Sequence, residues 1–298
     1  MRPHPNNKYL NSPSKALLAA LIAVVLAIGG AAGGACSRFT DSWQPFGANQ
    51  TYTYTSTSET SASILSQVSP YTSGTYVEVN NNTPQFAGCG ITSTDAACQW
   101  LAGAISDPAK YSTDWEVYSQ LDELGRCGMA CACVGKETMP ADGEERTSIS
   151  EIHPTGWQRS KYDFIENELL YNRSHLLGWS LTAENANECN LVTGTRYFNA
   201  DGMQPFEEGI LQYVRKTGNH VLYCVTPVFV GSDEVCRGVL MEALSVEDGG
   251  AGVSFCVFCY NVEPGVGIDY ATGDNWLDDG GTDTWNDGLD ESDTSASA

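Results

Sequence analysis

His175 lies in the stretch YNRSHLLGW, residues 171–179, two positions after Arg173. The stretch reads as a short strand, and side chains two apart on a strand point to the same face. Arg173 and His175 therefore share a face. Downstream, residues 190–218 supply Asn190, Asn199 and Glu207, with Glu208 and an amphipathic run behind them. A base, a hard oxygen donor for a cation and a nearby guanidinium are the parts that hydrolysis of a phosphodiester requires. The base activates water, the cation neutralises the developing phosphoryl charge, and the guanidinium holds the phosphate.

Each residue has a plainer reading beside the chemical one. His175 is either a base, since imidazole is neutral at physiological pH, or a histidine satisfied in the core. Asn199 is either a neutral ligand for Mg²⁺ or an ordinary helix N-cap. Glu207 follows eight residues later, which is a little over two helical turns, so it can serve the same face as Asn199. Its plain reading is an exposed acid in the first turn. Asn190 either orients the site or closes a loop. Arg173, Arg196 and Arg126 are candidates for contacting phosphate, each with a structural alternative.

The elements that must carry these residues follow from pattern. A helix is expected over 202–217, with Pro205 tolerated only near its start. Residues 76–79 alternate as a strand and end in the turn Asn80-Asn81-Asn82. Residues 115–124 place Trp115, Tyr118, Leu121 and Leu124 at a spacing of three, which predicts a helix. Residues 129–134 predict a buried strand with Cys131 and Cys133 on one face. Residues 221–230, 235–244 and 253–262 predict a β-meander in which Cys256 and Cys259 point to opposite faces. The fold class is α+β: a central antiparallel sheet with packed helices and a ββα catalytic unit.

The 298 residues carry a net charge of −22, with Lys+Arg 15 against Asp+Glu 37. That balance excludes broad electrostatic attraction to nucleic acid and requires any phosphate binding to be local. There are eleven cysteines. Arg2, Lys8 and Lys15 precede an apolar run over residues 16–32 and a small-residue exit, which reads as a signal peptide or a retained N-terminal membrane anchor over residues 1–36. Cys36 invites lipidation, although the usual leucine three residues earlier is missing. With Cys36 set aside, ten cysteines remain, enough for five bridges. Cys89 and Cys98 are a plausible local pair. Residues 37–70 read as a Ser/Thr-rich linker, 71–276 as the folded domain and 277–298 as an acidic disordered tail. The protein is expected to be secreted or anchored to the outer face of the cytoplasmic membrane.

Residues 71–276 resemble the DNA/RNA non-specific endonucleases, the ββα-metal (His-Me finger) superfamily, and within it the exported DNA-entry nucleases. The strings LDELGRCG, PTGWQRSKYDF, YNRSHLLGW and TGNHVLYCVTPVF carry the resemblance in order. The family signature DRGH stands here as Asn172-Arg173-Ser174-His175, so arginine and histidine are kept and the first and third positions differ. The resemblance implies that His175 is the general base and Asn199 the sole direct protein ligand of Mg²⁺, with Mn²⁺ as an alternative ion. It implies that Asn190 and Glu207 support metal and water, and that Arg173 contacts phosphate. The implied substrate is DNA, and RNA with it, cut without base readout and with strong dependence on ionic strength. A nuclease-like module that binds or imports DNA without cutting it is the competing reading, motivated by Asn172, Ser174 and the acidity.

Overall fold

The computed structural model describes residues 58–86, 103, 115–278 and 284–289. These all fall in the second of two units, Thr51–Ala298; the first is Met1–Gln50. The apolar N-terminal run, Cys36, Cys89 and Cys98 lie outside the described residues.

The domain is built on a six-stranded antiparallel sheet in the order β1-β8-β7-β6-β3-β2. Its strands are β1 (Tyr76–Glu78), β2 (Glu116–Tyr118), β3 (Ala130–Val134), β6 (Val221–Val228), β7 (Gly238–Ser245) and β8 (Ser254–Tyr260). The expected meander is the centre of this sheet. Its residues are apolar and buried almost throughout, as a central strand covered on both faces requires. Two hairpins stand apart from it. One is β4 (Tyr171–His175) with β5 (Leu191–Thr195); the other is β9 (Val266–Ile268) with β10 (Asn275–Leu277). The helices are α1 (Ser58–Leu65), a short α2 (Trp179–Thr182) and α3 (Gln204–Thr217).

α3 is amphipathic, burying Ile210 and Val214 and ending at Gly218 in the left-handed conformation (φ 76°). Arg215 and Lys216 sit in its last turn, where positive charge favours the exposed carbonyls. Phe206 from α3 packs on Phe255 of β8 with ring centroids 4.9 Å apart, and Tyr223 of β6 meets the same ring at 6.5 Å. One face of the central strands is thus the seat of α3.

The structure corrects four expectations. Residues 115–124 are not a helix: Glu116–Tyr118 pairs antiparallel with β3, Glu116 opposite Ala132 and Tyr118 opposite Ala130. A short run of apolar residues three apart fits both periods, and pairing with the buried strand 130–134 decided it. The folded domain begins before residue 71, because Ile64 of α1 is buried in the main core and Leu65 and Val68 pack against it. The tail is not wholly solvated. Trp285 is 2 % exposed, its ring lies 4.9 Å from Tyr260, and its indole N–H donates to the Arg237 carbonyl at 2.6 Å. Arg237 in turn donates to the carbonyls of Trp285 and Asp287. Five bridges do not form. Cys131 and Cys224 are bonded between β3 and β6, and Cys189 is also in a disulfide, but Cys127, Cys236, Cys256 and Cys259 are buried free thiols.

Trp285→Ala should cost about 3–5 kcal/mol of unfolding free energy in a urea titration, the usual range for emptying a buried aromatic site. A loss below about 1 kcal/mol would mean that residues 284–289 contribute little to the fold.

Candidate active site

β4, β5 and the helix that follows form one compact ββα unit. β4 and β5 pair from Tyr171 opposite Thr195 to His175 opposite Leu191. The chain turns helical at Arg196, passes through a π-helical turn over Phe198–Met203, and continues as α3. In the wide turn the Gln204 N–H reaches the Asn199 carbonyl, five residues back. Pro205 has no N–H to give to residue 201, so a tight α turn would lose a bond there regardless. Asn199 and Glu207 both line a cavity of about 1040 Å³, as do Arg173 and His175.

His175 is 8 % exposed and makes two hydrogen bonds of opposite kind. Nε2 lies 2.9 Å from the Asn185 carbonyl, which only accepts. Nδ1 lies 3.3 Å from Nη2 of Arg146, which only donates. The ring is therefore the neutral tautomer with its proton on Nε2 and a lone pair on Nδ1. Burial pushes its pKa down to about 4; the Asn185 carbonyl opposes that and the Arg146 charge adds to it. Asn185 also donates through Nδ2 to the Thr147 carbonyl and hydroxyl at 2.8 and 2.7 Å, so one residue ties the histidine to the Arg146 segment.

Across the cavity, Glu207 accepts the Gly178 N–H at 2.9 Å. A β-carbon on Gly178 would sit 2.7 Å from the Glu207 carboxylate, so a side chain there would push the carboxylate aside. Burial raises the Glu207 carboxyl to about 8, against the Gly178 N–H and the Arg146 charge, which lower it. A carboxyl held this high is one that an added cation would ionise. The Asn199 side-chain amide is half-buried, lines the cavity and has no partner among the described residues. No group of three or more His, Cys, Asp or Glu side chains capable of holding a metal occurs among the described residues. One neutral oxygen donor beside one carboxylate fits a hard divalent cation that keeps most of its water, and not a zinc cage.

The other sequence candidates divide. Arg173 lines the cavity; it donates to the carbonyls of Ser150 and Ile152 and lies 4.0 Å over the Trp157 ring. Arg196 lines it too, paired with the exposed Glu166. Arg126 does not: it is bound to Asp122 at 2.7 Å, donates to the carbonyls of Gly231 and Asp233, and covers Phe229. Its expected contact with phosphate is replaced by bracing of loops. Asn190 is fully buried and also stays out of the cavity. Its amide accepts the Leu177 N–H at 2.8 Å and donates to the Leu177 carbonyl at 3.0 Å, which fixes the loop between His175 and Gly178. It closes the loop, the plainer of its two readings.

At the two departures from DRGH, the Ser174 hydroxyl and the Asn172 amide nitrogen are buried without partners. Ser174 fits because Gly194 leaves it room: a β-carbon there would stand 2.4 Å from the Ser174 oxygen. Arg146 and Asn185 were not singled out from sequence. Arg146 sits in a charged loop with no period, 29 residues from the histidine it touches, and only the fold brings the two together.

Arg146→Gln should raise the His175 pKa from about 4 while leaving it below the ordinary 6.5, because a cation is removed and burial remains. An imidazole NMR titration reads this directly, and an unchanged or lower value would contradict the assigned contact.

The sequence profile described as DNA/RNA non-specific endonuclease matches residues 108–247. A deoxyribonuclease of Streptococcus dysgalactiae subsp. equisimilis is 33% identical over 112 residues, 36% of this chain. The chain spans about a third (33%) of that relative's length. The fold is shared with NucA from Streptococcus agalactiae, solved both with magnesium ion bound and with no metal bound. The magnesium-bound structure superposes with a TM-score of 0.57 at 18% identity, over 74% of this chain and 96% of that one. Residues 108–247, with the ββα unit within them, thus match the DNA/RNA non-specific endonuclease family.

Proposed function

We propose that this protein is an exported, divalent-metal-dependent nuclease that hydrolyses phosphodiester bonds in DNA, and in RNA, without reading bases. The observation that carries the reading is the His175 ring, neutral and fixed by Asn185, in the same cavity as Asn199, Glu207 and four arginines. The family match over residues 108–247 supports the reaction class. The basic, apolar and small-residue order of residues 1–36 supports export.

Each side chain has a distinct task. His175 removes the proton of the attacking water at Nδ1; Asn185 holds the opposite nitrogen protonated so that the lone pair cannot move. Arg146 spans Nδ1 and the neighbourhood of Glu207, and its guanidinium passes to a phosphate oxygen when substrate enters, which uncovers the base. Arg173 keeps the segment around residues 150–157 against the strand and offers its remaining donors to the phosphate. Asn199, with Glu207 beside it, would hold Mg²⁺ or a similar ion, which supplies charge neutralisation on the phosphoryl oxygens when bound; the related NucA has been solved with magnesium.

Plasmid DNA incubated with the protein and Mg²⁺ should be degraded, and EDTA should abolish this. His175→Ala should lower the rate about 10²–10⁴-fold, the range for loss of a general base. In the pH profile of kcat/KM, the acid limb should lie near 4 and not near 6.5, because the depressed pKa keeps the base neutral down to that value. A folded protein that cuts neither DNA nor RNA with Mg²⁺ or Mn²⁺ would favour the binding-module reading in its place.

A further inference from the structure

Two tryptophans, Trp157 and Trp179, line the cavity, and each lies against one of its arginines. The Arg173 guanidinium carbon stands 4.0 Å from the centre of the Trp157 ring, and that of Arg146 stands 5.7 Å from the centre of the Trp179 ring. Both fall within the reach of about 6 Å over which a cation is drawn to an aromatic face, and indole is the strongest such face.

The chain has Asp+Glu 37 against Lys+Arg 15, so a carboxylate is the partner an arginine meets most readily. Arg126, Arg196 and Arg237 follow that expectation, paired with Asp122, Glu166 and Asp233. Arg126 and Arg237 also lie over a ring, Phe229 at 4.8 Å and Tyr270 at 4.3 Å. A carboxylate and an aromatic face thus occur together where an arginine braces the fold. Arg146 and Arg173 keep the aromatic face and form no ion pair among the described residues. The carboxylates that influence them from further off are engaged elsewhere. Glu207, near Arg146, accepts the Gly178 N–H at 2.9 Å, and Glu151, near Arg173, accepts the Ser150 hydroxyl at 3.3 Å.

A carboxylate in contact would cancel the guanidinium charge, and a phosphate would have to displace it. An indole face carries no net charge. It attracts the cation without neutralising it, and it ties no single donor to a single acceptor. The other partners of Arg173 are the Ser150 and Ile152 carbonyls, which are neutral too. Arg146 can leave Nδ1 of His175 across the Trp179 face without breaking an ion pair.

We propose that Trp157 and Trp179 are positioning residues, which hold Arg173 and Arg146 in the cavity with their full charge left for a phosphate group of the substrate. The identity of that substrate rests on the nuclease reading.

The probe is thymidine bisphosphate, titrated into the full chain without divalent metal and followed by the Nε–H resonances of Arg146 and Arg173. Both resonances should move in the wild type. Trp157→Leu keeps an apolar side chain and removes the π face; it should weaken binding about three- to tenfold, while Trp157→Phe should stay within about twofold of wild type. Trp179→Leu and Trp179→Phe form a second pair, independent of any effect of residue 157 on folding, and should differ in the same sense. Leucine variants that bind as tightly as wild type overturn the assignment. Leucine and phenylalanine variants weakened alike overturn it too, because packing and not the aromatic face would then be responsible, as does a wild type that does not bind the bisphosphate. Plasmid digestion is read separately. A wild type that binds the bisphosphate with these variant effects, yet cuts neither DNA nor RNA with Mg²⁺ or Mn²⁺, removes the nuclease reading and leaves the positioning role standing.

Discussion

His175 is held between a group that can only accept and a group that can only donate. The Asn185 carbonyl and the Arg146 guanidinium together leave one tautomer, and burial keeps it uncharged. The rest of the unit serves that arrangement. β5 fixes β4 in register, Asn190 fixes the loop that leaves His175, and that loop delivers Gly178 to Glu207. Asn185, through Thr147, brings in the segment that carries Arg146. Histidine, carboxyl and arginine are thereby linked through short backbone segments, and the wide turn at Phe198–Met203 adds Asn199 to the lining of the same cavity.

Charge is the second constraint. A net charge of −22 opposes approach to a polyanion at long range, and screening over about 8–10 Å at moderate salt leaves local charge to decide binding. Four of the nine arginines line one cavity. Arg126 and Arg237, by contrast, are tied to nearby carboxylates and carbonyls and hold loops and residues 284–289 in place. Two kinds of arginine thus differ in partners and burial, though nothing in their local sequence separates them.

Much of this was legible in the sequence where pattern and chemistry coincide. The three meander strands, the strand bearing His175 and the helix after Asn199 are long or strongly patterned, and they form as expected. The cavity does bring His175, Arg173, Asn199, Glu207 and Arg196 together. Residues 115–124 were misread because three apolar positions suit a helix until a neighbouring strand claims them. Arg126 lies away from the cavity because its partners, at Gly231 and Asp233, are set by tertiary contact. Arg146 and Asn185 were missed for the same reason: neither belongs to a periodic element, and their roles exist only as contacts with His175.

The most direct measurement is a long-range ¹H–¹⁵N correlation spectrum of the His175 ring in the full chain near neutral pH. The account predicts a neutral imidazole with its proton on Nε2 and an unprotonated Nδ1. A ring protonated on Nδ1, or charged at neutral pH, would contradict it, since the lone pair assigned to the base would then be absent.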